Sequence, residues 1–329
     1  MGEFELLALL RERLPTTGPR LVLGSGDDAA ITVPEGAVAT SVDALVEGIH
    51  FRRETASLRQ IGRKALSTAL SDLAAMGAEA GEAYVVLGAP EGMSEAELLE
   101  LGEGMAAVAG ETGTAIAGGD LTRAPALTLA ITVTGYAPRA EDFVTRSGAR
   151  PGDALVVTGE LGGAAAGLLL LEDPRLPGDD ALRRRQLDPT PRFAAGRALA
   201  AAGATAMIDV SDGLAGDATH VALASAALLT IDADALPIAP GVAALAAAAD
   251  LDPVELATSG GEDYELFAAL PPEAVADAQR ALAALDVPLA AIGQAESAGT
   301  AGPRAELRRR GGGALPSRGF DQLRPRKPR

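Results

Sequence analysis

Cysteine is absent from the 329-residue chain, and His50 and His220 are its only histidines. The absence of cysteine excludes disulfides, thiolate nucleophiles and cysteine-ligated zinc, and two histidines are too few for a multi-histidine metal centre. Tryptophan is also absent and aromatic residues make up 3% of the chain, which argues against stacking platforms for nucleic-acid bases. Any bound metal must therefore have oxygen ligands.

Positive charge and long apolar runs are scarce as well. The formal net charge of −17 argues against a nucleic-acid partner. No apolar run reaches the roughly 18 residues of a transmembrane helix, so we expect no membrane partner. The N-terminal MGEFELLALLRERLP resembles an amphipathic helix and lacks the basic segment and cleavage site of a signal peptide. We therefore expect a cytoplasmic protein.

The known nucleotide-binding signatures are missing too. The only lysines are Lys64 and Lys327, and neither follows a glycine, so the chain contains no P-loop. The H-R-D and D-F-G motifs of protein kinases and the G-x-S-x-G elbow are also absent. A phosphoryl-transfer enzyme with this sequence needs a different scaffold.

Aspartates, by contrast, are placed where apolar runs end or glycine turns begin. They are Asp27 and Asp28 after GSG, Asp43 ending AVATSVD, Asp72 in LSDLAAMGA, Asp120 closing AGGD, and Asp209 and Asp212 in IDVSDGL. Such positions can present carboxylate oxygens into a shared cleft. Mg²⁺ prefers oxygen ligands and commonly binds phosphates at the same time. The pattern indicates magnesium-dependent phosphoryl transfer.

Asp72 can be placed on a helical wheel. At roughly 100° per residue, helix 57–76 puts Asp72 in its apolar half, beside Ile61 and Ala65. An unpaired carboxylate there would be unfavourable. It therefore needs an arginine partner, a turn toward water or a metal ion, and the sequence leaves these three open.

Each of the other motifs also has a simpler interpretation. The Asp27-Asp28 pair suits an ordinary turn, Ser211 or Asp212 suits a helix N-cap, and a lone His50 suits packing or solvation. The glycine pair before Asp120 allows a phosphate close to the backbone. Arg123 and Arg146 are candidate phosphate ligands that could equally be surface residues. SGGEDYELF adds Glu262, Asp263 and Glu265 after a second glycine pair.

Alternating strands and helices predict an α/β (α+β) protein. The predicted strands are 21–23, 29–33, 37–42, 83–88, 126–136, 154–158, 206–209, 228–232, 264–269 and 289–293, and the predicted helices are 3–13, 57–76, 94–111, 162–172, 192–202, 213–225 and 273–285. Ser94 and Glu97 predict a capping box. The polar segment 138–153 predicts a junction between domains 1–148 and 149–329, the latter ending in a flexible basic tail.

Taken together, these motifs resemble one family. GEFELLALL, GSGDDAAI, TSVDALVEGIHF, KALSTALSDLAAMGA, AGGDLTR, TRSGARPGD, IDVSDGL and SGGEDYEL occur in this order, with a weaker echo in SRGFDQL. The combination resembles the thiamine-monophosphate kinase family of the aminoimidazole ribonucleotide synthetase superfamily. The resemblance implies that ATP phosphorylates thiamine monophosphate to thiamine diphosphate without a covalent or general-base residue. It also implies two α/β domains, of which the first forms a barrel-like homodimer interface and the second covers the ATP cleft.

The resemblance also implies residue roles. Several Mg²⁺ ions would be held by Asp28, Ser41, Val42, Asp43, Asp72, Asp120, Asp209 and Asp212; ATP by Gly119, Asp120, Arg146 and Ser211; and the thiamine end by His50, Glu262 and Phe320. Val42 stands where the family often has threonine, which leaves a backbone carbonyl as its ligand. Whether Asp27 or Asp28 binds metal directly stays open, and Phe320 lies in a loosely matching tail.

Two other functions are compatible with the scaffold. One is a sister ATP-dependent synthetase that phosphorylates an amide or selenide substrate. The absence of cysteine weighs against the selenide, and SGGEDYEL weighs against the remaining synthetases. The other is a nucleotide or metal sensor without turnover, whose expected signature would be missing metal ligands.

Overall fold

The structure is a computed structural model that describes residues 3–25, 27, 29–309 and 314–315. By their contacts the residues form two compact units, Met1–Phe143 with Leu187–Phe193, and Val144–Gln186 with Ala194–Arg329. The sequence placed one junction after residue 148, whereas the contacts divide the chain after Phe143 and join Leu187–Phe193 to the first unit.

The first unit contains a four-stranded sheet, a two-stranded ribbon and three helices. Its elements are α1 (Glu3–Arg13), β1 (Leu21–Leu23), β2 (Ile31–Thr32), β3 (Ala37–Val46), α2 (Leu58–Ala75), β4 (Glu79–Ala89), α3 (Glu95–Thr112), β5 (Ala115–Arg123) and β6 (Thr128–Ala137). The strand order in the sheet is β3-β6-β4-β5, in which only β4 and β5 are parallel, while β1 and β2 pair with each other.

Helix α2 is buried on nearly all sides. It packs on β3 and β6 with one side and against α3 with another. The apolar stripe predicted from the sequence is buried, as are Lys64, Ser67, Thr68 and Ser71 on the opposite side. Capping boxes start α2 at Ser57 and α3 at Ser94, and the second confirms the predicted Ser94–Glu97 box.

The two faces of the four-stranded sheet differ in exposure. Leu129, Ile131 and Val133 of β6 are buried on the helix-covered face. The other face carries exposed apolar side chains, among them Val42 (66% exposed) and Val86 (44% exposed). In the part of the chain that the structure describes, the second face has no helical layer over these valines.

The second unit is a seven-stranded mixed sheet with helices. Its elements are β7 (Ala154–Thr158), α4 (Gly163–Glu172), α5 (Asp180–Leu187), α6 (Phe193–Ala201), β8 (Ala206–Asp209), α7 (Leu214–Ser225), β9 (Ala227–Asp232), α8 (Val242–Ala248), α9 (Pro253–Ser259), β10 (Leu266–Leu270), α10 (Val275–Ala283), β11 (Leu289–Ser297), β12 (Arg304–Arg308) and β13 (Ala314–Leu315). The last residue of α5, Leu187, and the first residue of α6, Phe193, belong to the first unit by contacts. The strand order is β13-β12-β9-β11-β7-β10-β8.

Two apolar clusters stabilise this second unit. The larger joins the sheet to α7 and includes Leu155, Ile208, Val221 and Phe267. The smaller joins α4, α5, α8 and α9. Strand β8 lies at one edge of the sheet, and the segment after its carboxyl end carries Ser211 and Asp212.

The element predictions were right in outline and wrong at particular places. The segment AIAGGD, read as an apolar run followed by a glycine turn, is part of strand β5, because Gly118 and Gly119 pair in register with Tyr84 and Val85 of β4. Helices α8 and α9 and strands β12 and β13 were not predicted, while α5 lies in the segment 173–191, for which the sequence predicts a surface loop or linker with a short helix. The described helices are all too short or too polar to cross a lipid bilayer.

Candidate active site

Asp72 of α2 meets Ser41 of β3. The Ser41 hydroxyl donates to the Asp72 carboxylate, with 2.5 Å between Oγ and Oδ2, and both residues are partly buried. The helical wheel required a partner for Asp72, and a serine hydroxyl supplies at least one. The pair presents two oxygen ligands from two secondary-structure elements.

Asp43 lies on the same face of β3 as Ser41, because side chains two residues apart in a strand share a face. Its Oδ1 accepts a hydrogen bond from the Ala44 amide at 2.7 Å. Val42, between them, points to the opposite face with an exposed side chain. Since β3 is an edge strand, half of its backbone groups point away from β6. Val42 could therefore bind a metal only through its backbone carbonyl, and only if that carbonyl points away from β6.

Asp120 is not brought to this group within the first unit. Asp43 pairs with Ile131, Ile131 with Val85, and Val85 with Gly119, so Gly119 shares the face of Asp43. Asp120, one residue further, is exposed on the other face and on the other edge strand. Among residues 3–25, 27, 29–309 and 314–315, no three carboxylates or histidines are grouped to hold a metal.

Two predicted site residues, Asp28 and Phe320, lie outside the described residues. Asp27 is described: it is exposed and forms a bridge with Ser25. Arg123 is exposed at the end of β5.

An open cavity lies in the first unit beside Gly119 and Asp120. Its apolar lining comes from α1, α3 and two strands and includes Leu7, Leu10, Leu98, Leu101 and Met105. Arg11 and Ser25 add polar atoms, and the Arg11 guanidinium donates to the Ser25 hydroxyl at 3.0 Å. An apolar cavity with a few polar groups is typical of a small-molecule site. The sequence did not predict it, because its lining comes from distant segments.

One ring nitrogen of His50 accepts a hydrogen bond from the backbone. Its Nδ1 accepts a hydrogen bond from the Val46 amide at 3.0 Å. An imidazole nitrogen that accepts carries no proton, so in this geometry the ring proton is on Nε2. His50 therefore offers a hydrogen-bond donor at Nε2.

In the second unit, Asp209 and Asp212 flank the turn from β8 to α7. Asp209 is 3% exposed at the end of the strand, and Ser211 and Asp212 are partly buried. Asp217 of α7 accepts hydrogen bonds from the Ser211 and Asp212 amides, at 3.1 and 3.2 Å. Burial, with the negative charges of Asp209 and Asp212, raises the pKa of Asp217 to about 8. These crowded carboxylates are in an environment that a cation would stabilise.

Asp217 is the residue that the sequence reasoning missed. It was visible as the last residue of IDVSDGLAGD. Its role depends on a turn that brings its carboxylate back to two amides five and six residues earlier in the chain. We infer that it fixes the backbone of Ser211 and Asp212.

Arg146 is exposed in a loop that runs beside β8. The Thr145 carbonyl accepts from the Met207 amide at 2.9 Å, which ties the loop to that strand. At the end of α7, the Ser225 hydroxyl accepts from the Gly148 amide at 3.1 Å and contacts the Arg146 carbonyl at 3.2 Å. The backbone of the loop is thereby held while the guanidinium stays accessible.

Glu262 lies in a loop with unusual backbone angles. Its φ of 63° and the φ of 49° at Tyr264 are rare for residues with a Cβ, and such angles cluster at functional sites. The Glu262 and Tyr264 amides donate to the carbonyls of Ser211 and Val210, at 2.8 and 2.9 Å. The loop is therefore fixed to the segment that carries Asp209 and Asp212.

The next acidic residue, Asp263, has a structural role. Its carboxylate accepts from the Gly162 and Ala164 amides, at 2.7 and 3.0 Å, at the start of α4. Burial raises the pKa of Asp263 to about 7, although the two amides oppose the shift.

This pKa predicts a pH-dependent stability difference between the wild type and Asp263→Asn. Between the ordinary value of 3.8 and about 7, the folded protein keeps a proton that the unfolded chain has released. The contribution of Asp263 to stability therefore falls as pH rises through this window, and the asparagine lacks this dependence. Urea unfolding at pH 5 and pH 8 should show the wild-type advantage shrinking by roughly 1–3 kcal/mol. An equal difference at both pH values would contradict the assignment.

Comparison with known proteins agrees with this architecture. The family model described as AIR synthase related protein, N-terminal domain, matches residues 26–137, and that of the C-terminal domain matches residues 150–304. The fold and its acidic sites thus define an AIR synthase-related protein of two α/β domains.

More specific relatives fall within one branch of that class. A thiamine-monophosphate kinase of Mycobacterium tuberculosis is 40% identical over 280 residues, covering 82% of this chain and 80% of that protein. The thiamine-monophosphate kinase structure from Stenotrophomonas maltophilia is 34% identical with a TM-score of 0.83, covering 93% of this chain and 96% of the other. The structure of AaThiL complexed with AMPPCP and TMP is 27% identical with a TM-score of 0.76, covering 98% and 97%.

The chain belongs to the thiamine-monophosphate kinase family. The family resemblance, the two-domain fold class and the assignment as a kinase are confirmed. The barrel-like dimer interface and the individual site residues stay predictions.

Proposed function

We propose that the protein transfers the γ-phosphoryl group of ATP to the phosphate of thiamine monophosphate, forming thiamine diphosphate and ADP. The observation that carries this proposal is the likeness to AaThiL complexed with AMPPCP and TMP over 98% of this chain. It is supported by the 40% identity to a thiamine-monophosphate kinase. AMPPCP is an ATP analogue, so that relative binds a nucleotide together with TMP.

The chemistry needs no general base. The second pKa of a phosphate monoester is about 6, so the attacking oxygen is mostly anionic at neutral pH. The chain accordingly contains only two histidines, and His50, with its Nδ1 engaged by Val46, is better suited to donate a hydrogen bond than to accept a proton. We expect an in-line attack controlled by positioning and electrostatics.

We infer that each unit contributes carboxylates that would hold Mg²⁺. We assign Asp43, Asp72 and Asp120, with Ser41 and the Val42 carbonyl, in the first unit, and Asp209 and Asp212 in the second; Asp28 is a further ligand expected from the family. The Ser41–Asp72 pair and the crowded carboxylates around Asp217 fit such ions. Protein Mg²⁺ sites often use one or two carboxylates with substrate phosphates, so a group of three is not required. Bound Mg²⁺ would neutralise phosphate charge during transfer.

The remaining assignments concern the two substrates. We place the nucleotide base in the cavity beside Gly119 and Asp120, whose apolar lining suits a flat ring. Arg146 and Ser211 would bind the phosphates, Arg146 through an accessible guanidinium. His50 and Glu262 would contact the thiamine end, together with Phe320 as the family implies.

Substrate identity is tested by product analysis. Purified protein with ATP and Mg²⁺ is given either thiamine monophosphate or free thiamine, and the products are separated by chromatography. We expect thiamine diphosphate from the monophosphate and no product from thiamine. Phosphorylation of thiamine itself, or no product from either, would contradict the proposal.

We also propose that the exposed face of the four-stranded sheet binds a second copy of the chain, as the family resemblance implies. Val38 and Val86 lie on this face and are 43% and 44% exposed. Replacing Val86 by Asp should convert dimers to monomers in light scattering, because an interface cannot bury an unpaired carboxylate cheaply. Leu223→Asp, at an exposed leucine of α7, is the control that should stay dimeric. A wild-type monomer at all concentrations would exclude the dimer.

A further inference from the structure

Gln186 is a buried polar residue whose function is not assigned by the mechanism above. It is next to last in α5 and is 4% exposed. Its Nε2 donates a hydrogen bond of 2.6 Å to Oε2 of Glu262. A hydrogen bond to a carboxylate is among the stronger ones in proteins.

The other end of the same amide is unsatisfied. Among the residues that the structure describes, no group donates to Oε1 of Gln186, although this atom is buried. A buried acceptor without a donor is unfavourable. Rotating the amide would not help, because it would place the carbonyl oxygen against the Glu262 carboxylate. In the observed orientation of the side-chain amide, Oε1 of Gln186 lacks a hydrogen bond while Nε2 keeps its hydrogen bond to Glu262.

Glu262 is fixed from its backbone as well. Its amide donates to the Ser211 carbonyl at 2.8 Å, and its φ is 63°. The backbone hydrogen bond fixes the position of the Glu262 Cα, and the hydrogen bond from Gln186 of α5 fixes one oxygen of the Glu262 carboxylate. All of these contacts lie within the second unit.

We propose that Gln186 is a positioning residue that aims the Glu262 carboxylate at the thiamine moiety of the substrate. This inference rests on the proposed function, in which Glu262 contacts that moiety. The thiazolium ring of thiamine is cationic and its aminopyrimidine carries an N–H donor, so an oriented carboxylate can recognise either group. Gln186 thereby affects the binding of thiamine monophosphate and leaves ATP binding unchanged.

The test is a double-mutant cycle with Gln186→Met and Glu262→Gln, with KM and kcat measured for both substrates. Methionine keeps the size of the side chain and removes the donor. We expect Gln186→Met to raise the KM for thiamine monophosphate about tenfold, with kcat and the KM for ATP within about twofold. In the Glu262→Gln background, Gln186→Met should add less than about twofold, since residues that act through one another are not additive.

Gln279→Met is the matched control. Gln279 lies in the same unit, and its side-chain amide donates to the Leu289 carbonyl at 3.2 Å. This variant should have the wild-type KM for thiamine monophosphate. If Gln186→Met fails to fold, as judged by thermal unfolding, Gln186→Leu is used, because it removes the same donor without adding a charge, and the same rise in KM is expected.

The outcomes separate two failures. If the wild type forms thiamine diphosphate but Gln186→Met keeps its KM, or raises both KM values equally, the positioning role is wrong. Additive effects in the cycle would also overturn it. If the wild type forms no thiamine diphosphate, the proposed function fails first, and this role fails with it.

Discussion

Asp43→Asn is expected to lower the rate of thiamine diphosphate formation at least about a thousandfold while the protein stays folded. Among the described residues, the Asp43 side chain takes one hydrogen bond, from the Ala44 amide, and an asparagine oxygen can accept the same bond. The fold therefore loses little. The uncharged amide is a much poorer ligand for Mg²⁺, and metal stabilisation of the transition state is worth several kcal/mol. Steady-state rates at increasing Mg²⁺, with unfolding curves for each protein, measure both effects.

Two further variants are compared with Asp43→Asn, one expected to lose activity and one expected to keep it. Asp120→Asn should show a loss of the same size, since Asp120 likewise ends a motif that predicts a metal ligand. Asp142→Asn removes a surface carboxylate paired with Arg139 in the same unit and should keep activity within about twofold, because surface ion pairs contribute little. Full activity of Asp43→Asn at ordinary Mg²⁺ would count heavily against the metal-ligand assignment.

Gly119→Ala should abolish ATP-dependent turnover and destabilise the first unit by about 2–4 kcal/mol. A Cβ at Gly119 would lie 2.0 Å from the Val85 carbonyl oxygen, in the backbone of the neighbouring strand. Neither strand can yield without breaking the β4–β5 pairing, which also positions Asp120 and one wall of the cavity. Denaturant unfolding measures the loss of stability, and a steady-state assay with ATP measures the loss of turnover.

Gly118→Ala is the matched control for this substitution. A Cβ at Gly118 would meet only the Tyr84 side chain, at 3.4 Å, which is an ordinary contact. This variant should lose less than about 1 kcal/mol of folding stability. Equal effects of the two alanines would mean that the close approach at Gly119 is not what the site requires.

The helical period of α2 carried the sequence analysis furthest. It predicted that Asp72 faces inward and needs a partner. It could not predict Ser41, 31 residues earlier, because which strand covers a helix is a tertiary contact. The same limit applies to Lys64 and Ser67: on a helical wheel of 57–76 they lie opposite the apolar half, yet both are buried.

Strand register explains a second limit. The motifs of Asp43 and Asp120 are similar in sequence, and both follow apolar runs. Whether two such residues share a face depends on pairing, since a shift of one residue reverses every side chain. The register places them on opposite faces of the sheet. Strand β5 was not predicted, because it contains a pair of glycines and glycine is uncommon inside strands.

Sequence motifs nevertheless identified the family correctly, because they record chemistry that the fold must preserve. IDVSDGL and SGGEDYEL, separated by about fifty residues in the chain, are joined by backbone hydrogen bonds from Glu262 to Ser211 and from Tyr264 to Val210. Asp217 could have been noticed as a third acidic residue near this turn. Its contacts to two amides, however, are visible only in three dimensions.

Magnesium dependence of thiamine diphosphate formation tests the central claim most directly. Purified protein is incubated with ATP and thiamine monophosphate, first with Mg²⁺, then with excess EDTA, and finally with Mg²⁺ restored. The account predicts equal amounts of thiamine diphosphate and ADP with Mg²⁺, none with EDTA, and recovery when Mg²⁺ is returned. Formation of thiamine diphosphate at an undiminished rate in EDTA would contradict a metal-assisted transfer between phosphates. Formation of ADP without thiamine diphosphate would contradict it as well.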